Sequence, residues 1–288
     1  MRAEFFPELS LAKFEAAYPR QPVVIGHRLL DHPLLTLEAL EGLAQTLPAA
    51  SIEYNPAKLP IGIALADVPR STLSPAETIR TIADNGSWLV LKRIEQQPEY
   101  ARLLDQVLSE LKPVVDPATG EMLRCEGFIF VTSPGCVTPF HFDPEHNILM
   151  QIRGSKTMTL FPADDEELLS PEIHESYHLG GHHRDLAWRE EFAGRGQAIT
   201  IQPGEGLHVP VKAPHWVQNG DQVSISLSVT WRSEWTFAEG DARAFNHVLR
   251  KAGLNPARPG AFPATNKAKA LAFRALRRVH TPQPIKDA

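Results

Sequence analysis

Cysteine is nearly absent: Cys125 and Cys136 are the only two in 288 residues. Two thiols build no disulfide framework, and the scarcity suits a reducing compartment, so a cytoplasmic location is expected. Long hydrophobic runs are also missing. No stretch approaches the roughly 20 apolar residues that cross a bilayer, so no membrane partner is expected. Glu4 and Glu8 precede any apolar stretch, which is not the pattern of a signal peptide. A basic excess is lacking too. The 29 Lys and Arg against 34 Asp and Glu give a net charge of -5, which argues against a globally basic nucleic-acid binder. No period of about 20–50 residues repeats, which excludes solenoids and propellers.

What is present is an ordinary globular balance, 43% hydrophobic and 22% charged, with 25 prolines. That proline share exceeds the usual value of about 5%, disfavours a helical bundle and suits short strands joined by turns. Three zones follow. Residues 1–120 mix helices and strands and are expected to pack on the domain that follows. Val23-Val24-Ile25 reads as a strand, and Leu35–Leu47 as a helix stopped by Pro48. Ser74-Pro75 with Glu77 forms a helix start. Trp88–Leu91 reads as a strand. Pro98 opens a helix with Leu103, Leu104, Val107, Leu108 and Leu111 along one stripe. Residues 121–236 are strand-rich, with runs at Phe128–Thr132, Ile148–Ile152, Lys156–Phe161, Ala198–Gln202, Leu207–Val211 and Val223–Trp231. This series predicts a small sandwich or barrel with flanking helices. Residues 237–288 return to helix at Glu239–Lys251 and Thr265–Val279. From Arg250 onward this zone carries nine Lys or Arg and one acidic residue, Asp287.

The chemistry concentrates at Thr138-Pro139-Phe140-His141-Phe142-Asp143. On an extended chain, residues i and i+2 share a face, so His141 and Asp143 can present an imidazole and a carboxylate to one point. Alone, such a pair is more often structural. His215 follows 72 residues after Asp143, behind Pro203-Gly204-Glu205 and Val209-Pro210. Two imidazoles and one carboxylate make the facial triad that leaves positions open on Fe(II).

These residues, with Asn147, Gln151-Ile152, Gly154, Lys156 and Leu160-Phe161-Pro162, resemble the JmjC and cupin-like family of Fe(II)/2-oxoglutarate oxygenases, in particular its asparaginyl-hydroxylase branch. The resemblance implies a double-stranded β-helix, or jelly roll, in which His141, Asp143 and His215 hold the iron. It implies that Lys156 and Thr138 grip the far carboxylate of 2-oxoglutarate. Asn147 and Thr230 would line the same pocket, with Thr230 standing where the asparaginyl hydroxylase has Asn. A tyrosine hydroxyl from an earlier strand also belongs to the family pattern, and Tyr54 is the counterpart considered. The function implied is a dioxygen-consuming hydroxylase of a protein side chain, and the C-terminal helices are expected to form a homodimer. The alternatives are a small-molecule hydroxylase, a non-catalytic regulator with a cupin-like barrel, and a metal-binding cupin of other chemistry such as an isomerase.

Other polar residues have plainer expectations. Cys136 is read as a buried, inert thiol and His208 as a packed strand residue. His174 and His178 could share a helix face, but Gly180-Gly181 interrupts the spacing to His182 and His183, against a second metal site. The segment is instead expected to be a loop over the barrel mouth, hinged at those glycines, with Arg184 as a substrate contact. Asp164–Glu167 reads as a solvated helix start. Ser224, Ser226, Ser228 and Thr230 alternate with Val223, Ile225, Leu227 and Val229, predicting hydroxyls inside the barrel and aliphatics under helices.

Overall fold

The computed structural model describes residues 4–56, 59–63, 67–68, 72–184, 186–260 and 264–279. Its strands are β1 (Val23–Gly26), β2 (Ile52–Pro56), β3 (Ser87–Lys92), β4 (Met122–Thr132), β5 (Val137–His141), β6 (His146–Arg153), β7 (Lys156–Leu160), β8 (Gln197–Ile201), β9 (Glu205–Val209), β10 (His215–Asn219) and β11 (Ser224–Ser233). Its helices are α1 (Glu8–Ala17), α2 (Leu37–Thr46), α3 (Pro75–Arg80), α4 (Pro98–Thr119), α5 (Pro171–Tyr177), α6 (Glu234–Lys251) and α7 (Ala264–Val279).

The strands form two antiparallel sheets facing one another. One has the order β1-β9-β6-β11-β4-β3-β2 and the other β5-β10-β7-β8. The N-terminal zone therefore does more than pack on the barrel, because it supplies β1, β2 and β3 to the larger sheet. Helices cover that sheet's outer face. There Ile225, Leu227, Val229 and Trp231 of β11 and Ile129 and Val131 of β4 meet Phe14, Leu40, Leu103, Val107 and Leu111. The predicted α4 stripe is buried in full, each side chain contributing about 1.5–3 kcal/mol of transfer free energy.

Register decides which side chains face inward. Ser226, Ser228 and Thr230 stand opposite Gln151, Leu149 and Asn147 on β6, and opposite Phe130, Phe128 and Glu126 on β4. These side chains point into the barrel, as the hydroxyl alternation predicts. Buried hydroxyls need partners, and they find them: Ser226 donates to Gln151 Oε1 and Ser228 to Asn147 Oδ1, both at 2.8 Å. The smaller sheet adds Met158, Leu160 and Val217, which pack against Leu149 and Leu207 across the interior.

Several expectations change. Residues 162–170 form turns, and the helix begins only at Pro171. The acidic run is held away from helix by cations, with Asp165 and Glu167 pairing with Arg195, and Glu167 also with Arg189. Tyr54 lies opposite Leu89 and packs into the outer core, so the register turns it away from the barrel interior. Gly154 adopts φ 66° in the turn between β6 and β7, where a Cβ would come within 2.6 Å of the Val223 carbonyl oxygen. Only glycine fits there. The carboxy-terminal residues Lys286 and Asp287 lie outside the described residues.

Candidate active site

His141 closes β5 and His215 opens β10, and the two residues stand directly opposite each other in the antiparallel pair. Their rings lie 4.2 Å apart, centroid to centroid. Each ring is oriented from behind. His141 Nδ1–H donates to the Pro139 carbonyl at 2.7 Å, and His215 Nδ1–H donates to the Ala213 carbonyl at 2.9 Å. Committing both Nδ1 atoms to backbone acceptors leaves both Nε2 lone pairs free to ligate. Asp143, two residues beyond His141, brings Oδ2 to 3.9 Å from His141 Nε2 and 3.7 Å from His215 Nε2. The ligand atoms of these three residues lie within 4.8 Å of one another, the single such His/Cys/Asp/Glu group among the described residues. The sequence triad is thus assembled in space.

The electrostatics suit a cation. Burial, and then the neighbouring His215, push the His141 imidazole well below its usual range, so it stays neutral. Burial works against ionisation of Asp143, but His183 and the imidazoles of His141 and His215 overcome it and hold the carboxyl well below the usual carboxylate range. A neutral His141 imidazole beside an ionised Asp143 carboxylate suits metal binding.

His183 is a contact that sequence reasoning did not assign to this centre. Its Nδ1 lies 3.6 Å from Asp143 Oδ1, and its carbonyl accepts from the Phe142 N–H at 3.2 Å. Gly180 turns the chain at φ 106°, bringing the loop back over the mouth. Arg184 beside it buries an Nε with no hydrogen-bond partner. Arg232 pairs with Glu145 at 2.7 Å, two residues from Asp143. No local spacing signals any of these contacts, because the loop reaches the site through tertiary folding.

Deeper in the barrel, Lys156 stands opposite Asn219, and Thr138 opposite Val217, so both project from the inner face of the smaller sheet. Lys156 is 5% exposed, and burial pushes its pKa down to about 7. Its Nζ lies 5.3 Å from the Phe130 ring centroid. No carboxylate pairs with it among the described residues, and Cys136 is the neighbour that offsets part of the effect of burial. A buried ammonium without a counter-charge is costly unless a ligand supplies one. Two further polar atoms are left over nearby. Trp88, whose ring centroid lies 6.1 Å from that of Phe130, buries an unpartnered Nε1–H. Asn219 donates to Thr132 Oγ1 at 2.6 Å while its Oδ1 is unpartnered. Trp88 pairs in register with Thr132, so these groups share one layer of the barrel. The ammonium and the Trp88 N–H thus suit an acid group, whereas the Asn219 oxygen can only accept a hydrogen bond.

The remaining sequence assignments sort by their hydrogen bonds. Asn147 faces inward but accepts from Ser228, and the Thr230 hydroxyl donates to the Glu126 carbonyl at 3.2 Å. Both line the interior with their polar capacity partly used. His208 points to the outer core, where Nδ1 meets the Gln21 carbonyl at 3.0 Å and the ring packs edge-on to Phe14. His174 and His178 are buried beside α6 near Glu239, but they form no metal-holding group among the described residues. A separate groove of about 1010 Å³, lined by Tyr18, Pro162, Lys212, Glu239 and Arg258, does not include the triad.

A double-stranded β-helix holding His-x-Asp and a distant His on facing strands defines a cupin-type metal-binding barrel. Residues 76–237 match the model of the cupin-like domain family, and this chain belongs to that family. Among curated relatives it is similar to Jumonji C domain-containing protein 5 of Drosophila melanogaster, at 32% identity over 106 residues, covering 34% of this chain and 25% of that protein. It is likewise similar to lysine-specific demethylase JMJ30 of Arabidopsis thaliana, at 33% identity over 110 residues, 35% of this chain and 24% of that protein. The matched segment spans about a quarter of each relative. Among solved structures, Escherichia coli ycfD shares the fold with a TM-score of 0.56 at 17% identity, over 98% of this chain and 71% of that one. The complex of that ribosomal oxygenase with cobalt and 2-oxoglutarate gives 0.53 at 16% identity, over 98% and 70%.

Proposed function

We propose that the protein is an Fe(II)- and 2-oxoglutarate-dependent oxygenase that hydroxylates a protein side chain. The observation that carries this reading is one barrel holding both an open His-Asp-His triad and, deeper in, a buried ammonium with no carboxylate partner among the described residues. A metal cupin of other chemistry has use for the triad but none for Lys156. In this reading His141, Asp143 and His215 hold the iron, and Lys156 and Thr138 receive the far carboxylate, with the Trp88 N–H as a further donor. The iron with 2-oxoglutarate and dioxygen supplies the oxidising chemistry, leaving succinate and carbon dioxide. The chain's own residues fix the ligands from behind, select a dicarboxylate and keep the interior dry. A protein substrate is favoured over a small molecule by the mouth at Asp143, whose side chain is 27% exposed beside the His183 loop. The likeness to a ribosomal oxygenase adds to it. The expected dimer through α6 and α7 is part of the proposal, with Val248, Leu271 and Leu276 on the helices and Leu254 just beyond α6 exposed for a second copy to cover.

The test combines anaerobic Fe(II) and 2-oxoglutarate binding with uncoupled succinate formation. His141→Ala is expected to abolish metal binding and turnover, and Lys156→Ala to weaken 2-oxoglutarate binding while metal still binds. Unchanged turnover in both variants would refute the assignment.

A further inference from the structure

The turn between β9 and β10 grips two of the three triad residues at once. The Lys212 N–H donates to the Asp143 carbonyl at 2.7 Å, and the carbonyl of the next residue, Ala213, holds the His215 ring at 2.9 Å. The Ala213 N–H closes the turn onto the Pro210 carbonyl at 3.0 Å, and the Pro214 carbonyl accepts from Phe161 at the end of β7 at 2.9 Å. Lys212 itself adopts φ 63°. A non-glycine residue there costs about 1 kcal/mol or more, so something else must hold it. Its side chain is 3% exposed and runs to the C-terminal helix α6, where Nζ meets Glu239 Oε2 at 2.5 Å. Glu239 is fixed in turn by Arg243 one helical turn on, at 2.5 Å. Lys212, Glu239 and Arg243 are thus paired in series, and losing one strands its neighbour in the interior.

We propose that Lys212 is a positioning residue: anchored to α6 through Glu239, it sets the turn that aims Asp143 and His215 at the metal. The C-terminal helices, outside the barrel, thereby control metal affinity. The proposal rests on the metal-centre reading above but not on the cosubstrate, because the metal is held by the triad alone.

The test is Co(II) binding to the full-length protein by calorimetry at 25 °C, with the visible ligand-field spectrum as a second readout. Glu239→Gln and Lys212→Met are the perturbations. Arg250→Ala is the control: it removes the Glu175 partner that ties α6 to α5, without touching the turn. Glu239→Gln and Lys212→Met are expected to weaken Co(II) binding about tenfold or more, in the range of lost outer-layer supports, and to alter the spectrum. Arg250→Ala is expected to leave both unchanged even where it lowers the melting temperature. Should Lys212→Met not fold, Glu239→Gln decides. Co(II) affinity and spectrum unchanged in a folded Glu239→Gln protein with a lowered melting temperature would reduce the ion pair to a stability element and overturn the proposal. A wild-type protein that binds no Co(II) would overturn the metal-centre reading itself.

Discussion

Replacing Lys156 by Met removes the buried ammonium and keeps an unbranched stem. Burial lowers the Lys156 pKa from 10.5 to about 7. At 1.36 kcal/mol per pH unit, that corresponds to an upper bound on the order of 5 kcal/mol against the charged form. Relaxation and penetrating water reduce the effective figure to about 2–4 kcal/mol. The folded pKa lies below the unfolded one, so between about pH 7 and pH 10.5 the unfolded chain binds more protons. Ligand-free stability therefore rises with pH across that window and is lowest below it. Lys156→Met should be more stable than the wild type at pH 6.5, by about 2–4 kcal/mol, with the advantage fading toward pH 10. The same variant should lose 2-oxoglutarate affinity by about 100-fold, the value of hydrogen bonds to a charged partner. In the wild type the dicarboxylate selects the protonated amine. Its apparent Kd should then rise about tenfold between pH 6 and pH 8, with uptake of nearly one proton at pH 8. Calorimetry on Mn(II)-loaded protein, in two buffers of different ionisation enthalpy, measures that proton. An affinity flat across this range, together with a Lys156→Met protein no more stable than the wild type, would refute the reasoning.

Trp88→Phe keeps the ring and removes the donor. It should weaken 2-oxoglutarate about tenfold or more while leaving a 2-oxo acid without the far carboxylate unaffected, and equal losses for both ligands would count against the contact. His183→Ala should weaken metal binding about tenfold by freeing Asp143, and an unchanged Co(II) affinity would show the loop contact to be idle. Gly154→Ala, at a positive φ and against the Val223 carbonyl, should destabilise the fold by about 1–3 kcal/mol in urea titrations. Leu271→Glu with Leu276→Glu should convert a dimer to a monomer by light scattering, and a monomeric wild type would remove the proposed self-association.

The elements that sequence makes legible are those whose signal is local. The α4 stripe repeats at helical spacing, and the β11 alternation repeats every second residue, so each announces its buried face before any partner is known. His141 and Asp143 are legible for the same reason, since the i, i+2 relation is built into a strand. Tyr54 shows the limit of that logic. A strand's two faces differ by a single residue, and β2, a short mixed run of Ile, Glu, Tyr, Asn and Pro, carries no alternation that fixes which face is inside. Only its pairing with β3 places Tyr54 outward. The same register turns Trp88 inward. His183 and the Lys212–Glu239 pair were illegible for another reason: their partners are 40 and 27 residues away and meet only once the sheets have closed.

The interior polar groups themselves separate scaffold from site. Ser226 is answered by Gln151, Ser228 by Asn147, Thr230 by the Glu126 carbonyl, and Gln151 also by Ser224 at 2.9 Å. Each pair cancels a desolvation cost within the fold, so nothing at those positions requires a ligand. Among the described residues Lys156 has no carboxylate partner, the Trp88 N–H and the Asn219 amide oxygen are unpartnered in the same layer, and nearer the mouth two imidazole lone pairs stand beside a carboxylate. Unpaired indole N–H groups also occur at Trp216, Trp231 and Trp235, so it is the convergence of the ammonium and the Trp88 N–H on one layer, not the lack of a partner alone, that marks a place for an external acid. Stability and function therefore pull in opposite directions at Lys156, and a variant that folds better and binds worse is the signature that separates a binding site from a packing defect.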